Sequence, residues 1–161
     1  MKDDLREGLW EGYDGEWGRV SRQLTALAEV MPQDTYLWRP ASGLRSISEV
    51  FMHNALANFY LLSFTGPQMP QDLMSPESKD LEKTVTKKAD VIRWLERSLD
   101  AVKAARGNLK SGDLERKVKI GGKEVTVDGV YLRIIVHANE HMGQLVAYAR
   151  MNGIVPSWSE K

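Results

Sequence analysis

Apolar residues recur at intervals of three and four over four long stretches of the chain, and over one short stretch they alternate. From about Asp3 to Val30, Leu5, Leu9, Tyr13, Trp17, Val20, Leu24 and Leu27 share one face, which predicts an amphipathic helix. Gly8, Gly12, Gly15 and Gly18 weaken its early half, at about 1 kcal/mol each against alanine. They either admit a close neighbour or leave the segment irregular. Met31-Pro32 ends it, because the residue before a proline is pushed out of the helical region.

The second helix opens at Ser46-Ile47-Ser48-Glu49, a capping box in which the serine oxygen takes a backbone N–H and the glutamate reaches back. From Val50 to Phe64 it is apolar on most sides, and Gly66-Pro67 stops it. After a loop, Ser75-Pro76 reads as an N-cap with proline at the first helical position. A third helix is expected over Pro76 to Arg106, with Leu81, Val85, Ala89, Ile92, Leu95, Leu99 and Val102 on its inner stripe. Alternation on either side of Gly121-Gly122, from Val118 to Val127, predicts a tight hairpin. Two strands alone are marginal, so the hairpin must lean on the helices. Asp128 is placed to cap a fourth helix that runs to Asn152 and closes at Gly153. The expected fold is all-α: one domain over residues 1–161, a four-helix bundle with a β-hairpin before the last helix. The long link between the second and third helices permits a crossover.

Composition narrows the function. Lys+Arg and Asp+Glu are both 22, so the clustered basic excess of a nucleic-acid-binding protein is missing. There is no cysteine, which removes disulfides, thiolate nucleophiles and Cys-ligated metals together and fits a reducing cytoplasm. The start, MKDDLREGLW, lacks the apolar segment of a signal peptide, and Ala55 to Phe64 is far short of the ~20 residues of a membrane span. A cytoplasmic protein with neither nucleic-acid nor membrane partners is expected.

The chain has three histidines, His53, His137 and His141, and all lie in helices that read as buried. His137 and His141 are four residues apart, hence on one face about 6 Å apart along the axis. Two imidazoles at that spacing can converge on one metal ion. Burying three such polar groups without partners is costly, so a single three-histidine metal site is the reading that accounts for all of them. His137-Ala-Asn-Glu140-His141 also matches the H-x-x-E-H pattern of a zinc peptidase, with Glu140 as general base. Those enzymes take a third ligand well downstream, whereas the twenty residues after His141 include no histidine. A peptidase is therefore not expected. Gln144 and Tyr148 continue the face of His137 and His141 and can orient a ligating imidazole, a water or a substrate. The plainer alternative is that they pack between helices.

The run His137-x-x-x-His141-Met-Gly143-Gln144-Leu-x-x-Tyr148-x-Arg150-x-x-Gly153-x-x-Pro156, with Ser46-Ile47-x-Glu49-x-x-x-His53 upstream, resembles the DinB-like family. The resemblance implies a four-helix bundle with a long crossover, a divalent metal on His53, His137 and His141, and often a homodimer. Members include thiol transferases and isomerases that use low-molecular-weight thiols, as well as hydrolases. Met142 departs from the pattern: many members carry arginine there, and methionine offers an anionic substrate or thiol no such contact.

Three neutral nitrogens leave a divalent ion with open positions, the arrangement of a catalytic rather than a closed structural site. The expected function is a metal-dependent enzyme acting on a small molecule. It would activate a low-molecular-weight thiol as a transferase or water as a hydrolase, with Glu140 and Gln144 as proton or orientation partners. Zinc, nickel and iron all suit imidazole ligands. A non-catalytic metal- or small-molecule-binding stress protein is the competing reading, and a bundle that holds no metal is the third. Trp10, Trp17 and Trp38 offer aromatic surface for the homodimer.

Overall fold

The fold is taken from a computed structural model, of which residues 7–159 are described. Four long helices, α1 (Gly12–Val30), α2 (Ile47–Ser63), α4 (Lys88–Gly107) and α5 (Val127–Met151), form a bundle. One helical turn, α3 (Leu81–Thr84), precedes α4, and the antiparallel strands β1 (Lys117–Ile120) and β2 (Lys123–Thr126) precede α5. Around the bundle α4 packs between α1 and α2 on one side, and α5 packs between them on the other. Asp14 near the start of α1 meets Arg106 near the end of α4, so that pair is antiparallel. Along α2 and α4, Phe59 meets Trp94 edge to face and Asn58 donates to Ser98, while Leu62 and Ala105 line one cavity further on; these two helices run parallel. A parallel neighbour requires a connection that travels the length of the bundle, and residues 64–87 supply it.

The core explains the periodicity. Trp17, Val20, Leu24 and Leu27 of α1 close against Val91, Leu95 and Val102 of α4, Val50 and Phe51 of α2, and Ile134 and Leu145 of α5. The hairpin leans on this core through Val118, Ile120 and Val125. Its turn residues Gly121 and Gly122 have φ of 57° and 80°, as a two-residue turn with both centres left-handed demands.

Three boundaries differ from expectation. The described part of the first helix begins at Gly12, and Glu7–Glu11 form a turn instead; the expected start at Asp3 lies outside the described residues. Gly15 is the reason for the close turn, since a Cβ there would sit 2.5 Å from the Gly8 carbonyl oxygen. The third helix is interrupted. Pro76–Asp80 is a 3-10 turn, α3 follows, and Val85 to Lys87 is extended before α4 begins. Thr84-Val85-Thr86 is a β-branched run of low helix propensity, and Gln33 replaces the lost backbone bonds. Its Oε1 accepts from Lys88 N (2.6 Å) and its Nε2 donates to Thr86 O (3.2 Å). Finally, Thr126 rather than Asp128 caps α5, its Oγ1 accepting from Gly129 N at 3.0 Å. The helix leaves β2 without a linker, so Asp128 falls in the first turn, where a carboxylate suits the helix dipole.

Candidate metal centre

The capping box forms as expected: Ser46 N donates to Glu49 Oε2 (2.6 Å) and Glu49 N to Ser46 Oγ (3.3 Å). It starts α2 so that His53, two turns on, faces α5. There His137 and His141 stand one turn apart, and the three rings meet with centroids 4.4–5.0 Å apart. His137 Nε2 lies 3.1 Å from His53 Nε2 and 3.1 Å from His141 Nε2. His137 is buried, while the other two are partly open to solvent.

The tautomers follow from what stands behind each ring. Glu82, salt-bridged to Arg45 at 2.6 Å, can only accept, so His53 Nδ1–H donates to its Oε2 (3.2 Å). Gln144 Nε2 donates to the Tyr148 hydroxyl (3.0 Å), which leaves its Oε1 to accept from His141 Nδ1–H at 2.9 Å. Both outer imidazoles therefore present Nε2 lone pairs to the centre. His137 has no hydrogen-bond partner at its buried Nδ1, so no protein group fixes its tautomer. A proton on His137 Nε2 can be given to only one of its two neighbours. The other contact then sets lone pair against nitrogen at 3.1 Å, an arrangement a cation relieves.

The two contacts of His137 suit such a cation, and all three ligand nitrogens lie within 4.8 Å of one another. Two nitrogens 3.1 Å apart can each lie at the ~2.0–2.1 Å of a metal–imidazole bond with an angle of roughly 100° between them, between octahedral and tetrahedral values. Burial lowers the pKa of His53, reinforced by Arg45 and His141 and opposed by Glu82. Burial, with the neighbouring His141 and His53, depresses His137 to about 4. Both are neutral near pH 7, as ligands must be. The three histidines are positioned to bind a metal ion.

The remaining predicted residues divide. Gln144 belongs to the site, as the partner of His141. Tyr148 both packs and bonds: its ring meets Trp38 edge-on (5.4 Å) while its hydroxyl takes the Gln144 proton. Glu140 is not brought to the imidazoles; its carboxylate lies on the exposed face of α5 and pairs with Arg133 at 3.1 Å. Its field still reaches His137, where it opposes the downward shift. Sequence reasoning missed Glu82. Its one local signal is the β-branched run after it, which breaks the helix and lets α3 turn its carboxylate behind His53. Among the tryptophans, Trp17 is buried and donates to Leu99 O, Trp38 packs on Tyr148, and Trp10 alone of those three stays exposed, at 89%.

A helical bundle with a three-histidine cluster between two of its helices, backed by a carboxylate and an amide, defines the class of protein. The family model of the DinB superfamily matches residues 16–145, and the chain belongs to that superfamily. Among solved structures it is similar to a DinB-like protein from Bacillus cereus, with a TM-score of 0.74, 18% identity, and coverage of 91% of this chain and 94% of that one. It is also similar to a DinB-like protein from Bacillus subtilis, with a TM-score of 0.68, 19% identity, and coverage of 92% and 99%. At that identity the likeness establishes the fold. No curated protein matches the chain. None of the described helices is long and apolar enough to cross a membrane.

Proposed function

We propose that this chain is a metal-dependent enzyme in which His53, His137 and His141 hold one divalent ion that activates a small thiol for transfer to an electrophile. The observation that carries the reading is the convergence of the three Nε2 atoms, with the Nδ1–H groups of His53 and His141 anchored outside it. Zinc, nickel and iron all suit such a set. When bound, the ion supplies Lewis acidity that lowers the pKa of a thiol or water at its open positions. The chain's own part is orientation. Glu82 and Gln144 hold two rings in register, and burial keeps His53 and His137 unprotonated near neutral pH.

Thiol rather than water is favoured because the carboxylates near the rings are engaged. Glu82 is shared by Arg45 and His53, Glu49 by Arg39 and Ser46, and Glu140 is paired with Arg133. With no carboxylate free to take the proton, the group that ionises more readily is favoured: a thiol starts from a free pKa of about 8.5, against about 15.7 for water, so the ion has far less to supply. The cytoplasm, where thiols stay reduced, is the compartment this chemistry suits. A homodimer is part of the proposal, with exposed Trp10 as a candidate contact, and sedimentation at tens of micromolar tests it.

The test of function is turnover of a model electrophile with 2-mercaptoethanol by metal-loaded protein. Expected is activity that chelation abolishes and added metal restores. A hydrolase that uses Glu140 as base would instead lose ~10²–10⁴-fold in hydrolysis with Glu140→Gln, a change thiol transfer should barely register. Metal-loaded protein with neither activity supports the non-catalytic binding protein.

A further inference from the structure

Beside the histidines lies an open cavity of about 500 Å³, and among its lining residues are Arg39, Arg45, Glu49, Glu82, Lys83 and Gln144. It borders the site directly, because Glu82 and Gln144 are the residues that hydrogen-bond His53 and His141. Three cationic side chains face two carboxylates here. Arg39 is matched by Glu49 at 3.1 Å and Arg45 by Glu82 at 2.6 Å, while the exposed Lys83 ammonium has no ion-pair partner among the described residues. Arg45 uses Nε for Glu82, which leaves its two terminal NH₂ groups free to donate.

The local charge balance is therefore positive by one before any metal is counted. The three imidazoles contribute no negative charge, so a divalent ion on them raises the excess further. A cation left unmatched in such a mixed lining draws in an anion, and a guanidinium fork matches a planar carboxylate in shape as well as in charge.

We propose that this cavity is an anion subsite for the carboxylate end of a small thiol substrate, with Lys83 as its uncommitted cation and the terminal NH₂ groups of Arg45 as its fork. The assignment rests on the metal-dependent thiol reading and adds the substrate class: a short thiol that carries a carboxylate. The cavity receives the charged end, and Glu82 ties the subsite to the ligand set, since one of its oxygens holds Arg45 and the other His53.

Binding of 3-mercaptopropionate, 2-mercaptoethanol, propionate and inorganic phosphate to the metal-loaded protein, followed by amide chemical shifts, tests this. Expected is about 10-fold tighter binding of 3-mercaptopropionate than of 2-mercaptoethanol, falling towards equality in Lys83→Gln and inverting in Lys83→Glu. Lys83 is exposed, so both variants should fold, and their thermal melts verify it. Propionate alone should shift the amides around Lys83 and Arg45. Equal affinity of the two thiols in the unaltered protein, or a preference that survives both variants, overturns the subsite while leaving the thiol reading intact. Propionate binding that Lys83→Gln removes, with no gain from the thiol group, keeps the subsite and overturns the thiol reading. Phosphate binding more tightly than propionate overturns the carboxylate assignment.

Discussion

Two of the four seams of the bundle carry opposite chemistry. Between α1 and α4, Trp17 closes the interior and donates its indole N–H to Leu99 O (3.3 Å). The cavity outside it, about 630 Å³, is the larger of the two compared and has a charged rim of Arg22, Glu29, Glu96 and Lys103. Beside the α2–α5 seam the cavity is smaller, about 500 Å³, and is walled largely by residues 39–45 and α3, yet all three histidines of the chain lie on that seam. Volume does not mark a site. What distinguishes the second seam is that three imidazole nitrogens meet there and that the tautomers of two of them, His53 and His141, are set from behind. The first is a packing surface: the Trp17 ring stacks on Tyr13 of its own helix and its N–H is committed to α4.

The sharpest way to break this contrast is to alter each seam in turn. The His137→Ala, His141→Ala double variant should fall from about one divalent ion per chain to almost none by mass spectrometric metal analysis. Leu24→Ala in the other seam should keep its metal and lose about 2–5 kcal/mol of stability in denaturant titration, since Leu24 is fully buried. Equal metal loss in both would show that the seams are not independent.

A smaller effect is expected behind the ligands. Glu82→Ala removes the acceptor of His53 and should weaken metal binding about 10–100-fold in chelator competition, with Gln144→Ala doing the same through His141. Glu140→Gln should leave metal affinity unchanged, because that carboxylate is held by Arg133 on the outer face. Unaltered affinity in both Glu82→Ala and Gln144→Ala would mean that the metal alone orients the rings.

The pH dependence sharpens the comparison further. In metal-free protein His137 is depressed to about 4, whereas an unfolded histidine titrates near 6.5. Between these values the unfolded chain binds a proton that the folded chain does not. Stability should therefore fall as pH drops through 6.5 towards 4, by up to about 1.4 kcal/mol per unit, and be level above that window as far as this residue is concerned. Urea titrations of chelated protein check it, and His137→Gln should flatten the slope. The smallest effect expected is at the entry to the site: Ser46→Ala removes one half of the capping box and should cost about 1 kcal/mol in the same titration.

Much of the site was legible because its signals are local. The capping box, the i,i+4 histidines and the Gly-Gly turn each depend on residues within one or two turns of one another, and each forms where the pattern places it. The third helix was misread because its inner stripe continues unbroken from Leu81 to Val102, while the β-branched run that interrupts it is a weak local preference. The preference prevails because Gln33, over fifty residues upstream, supplies the hydrogen bonds the break would otherwise lose. Asp128 was misread as the cap for a related reason, since only the hairpin's geometry shows that the helix begins one residue before it.

Helical period and residue identity determined by themselves that this chain forms a bundle and that three imidazoles lie on two of its buried-looking faces. Both follow from side-chain chemistry repeated at 3.6 residues per turn, which needs no knowledge of neighbours. Tertiary structure decided which groups stand behind those imidazoles: Glu82 from the crossover reaches His53, and Glu140, one residue from a histidine, turns outward to Arg133. Neighbouring residues on a helix point about 100° apart, so adjacency in the chain separates Glu140 from the site, while a parallel packing of α2 and α4 obliges the connection between them to run along the bundle and carries a distant carboxylate into it.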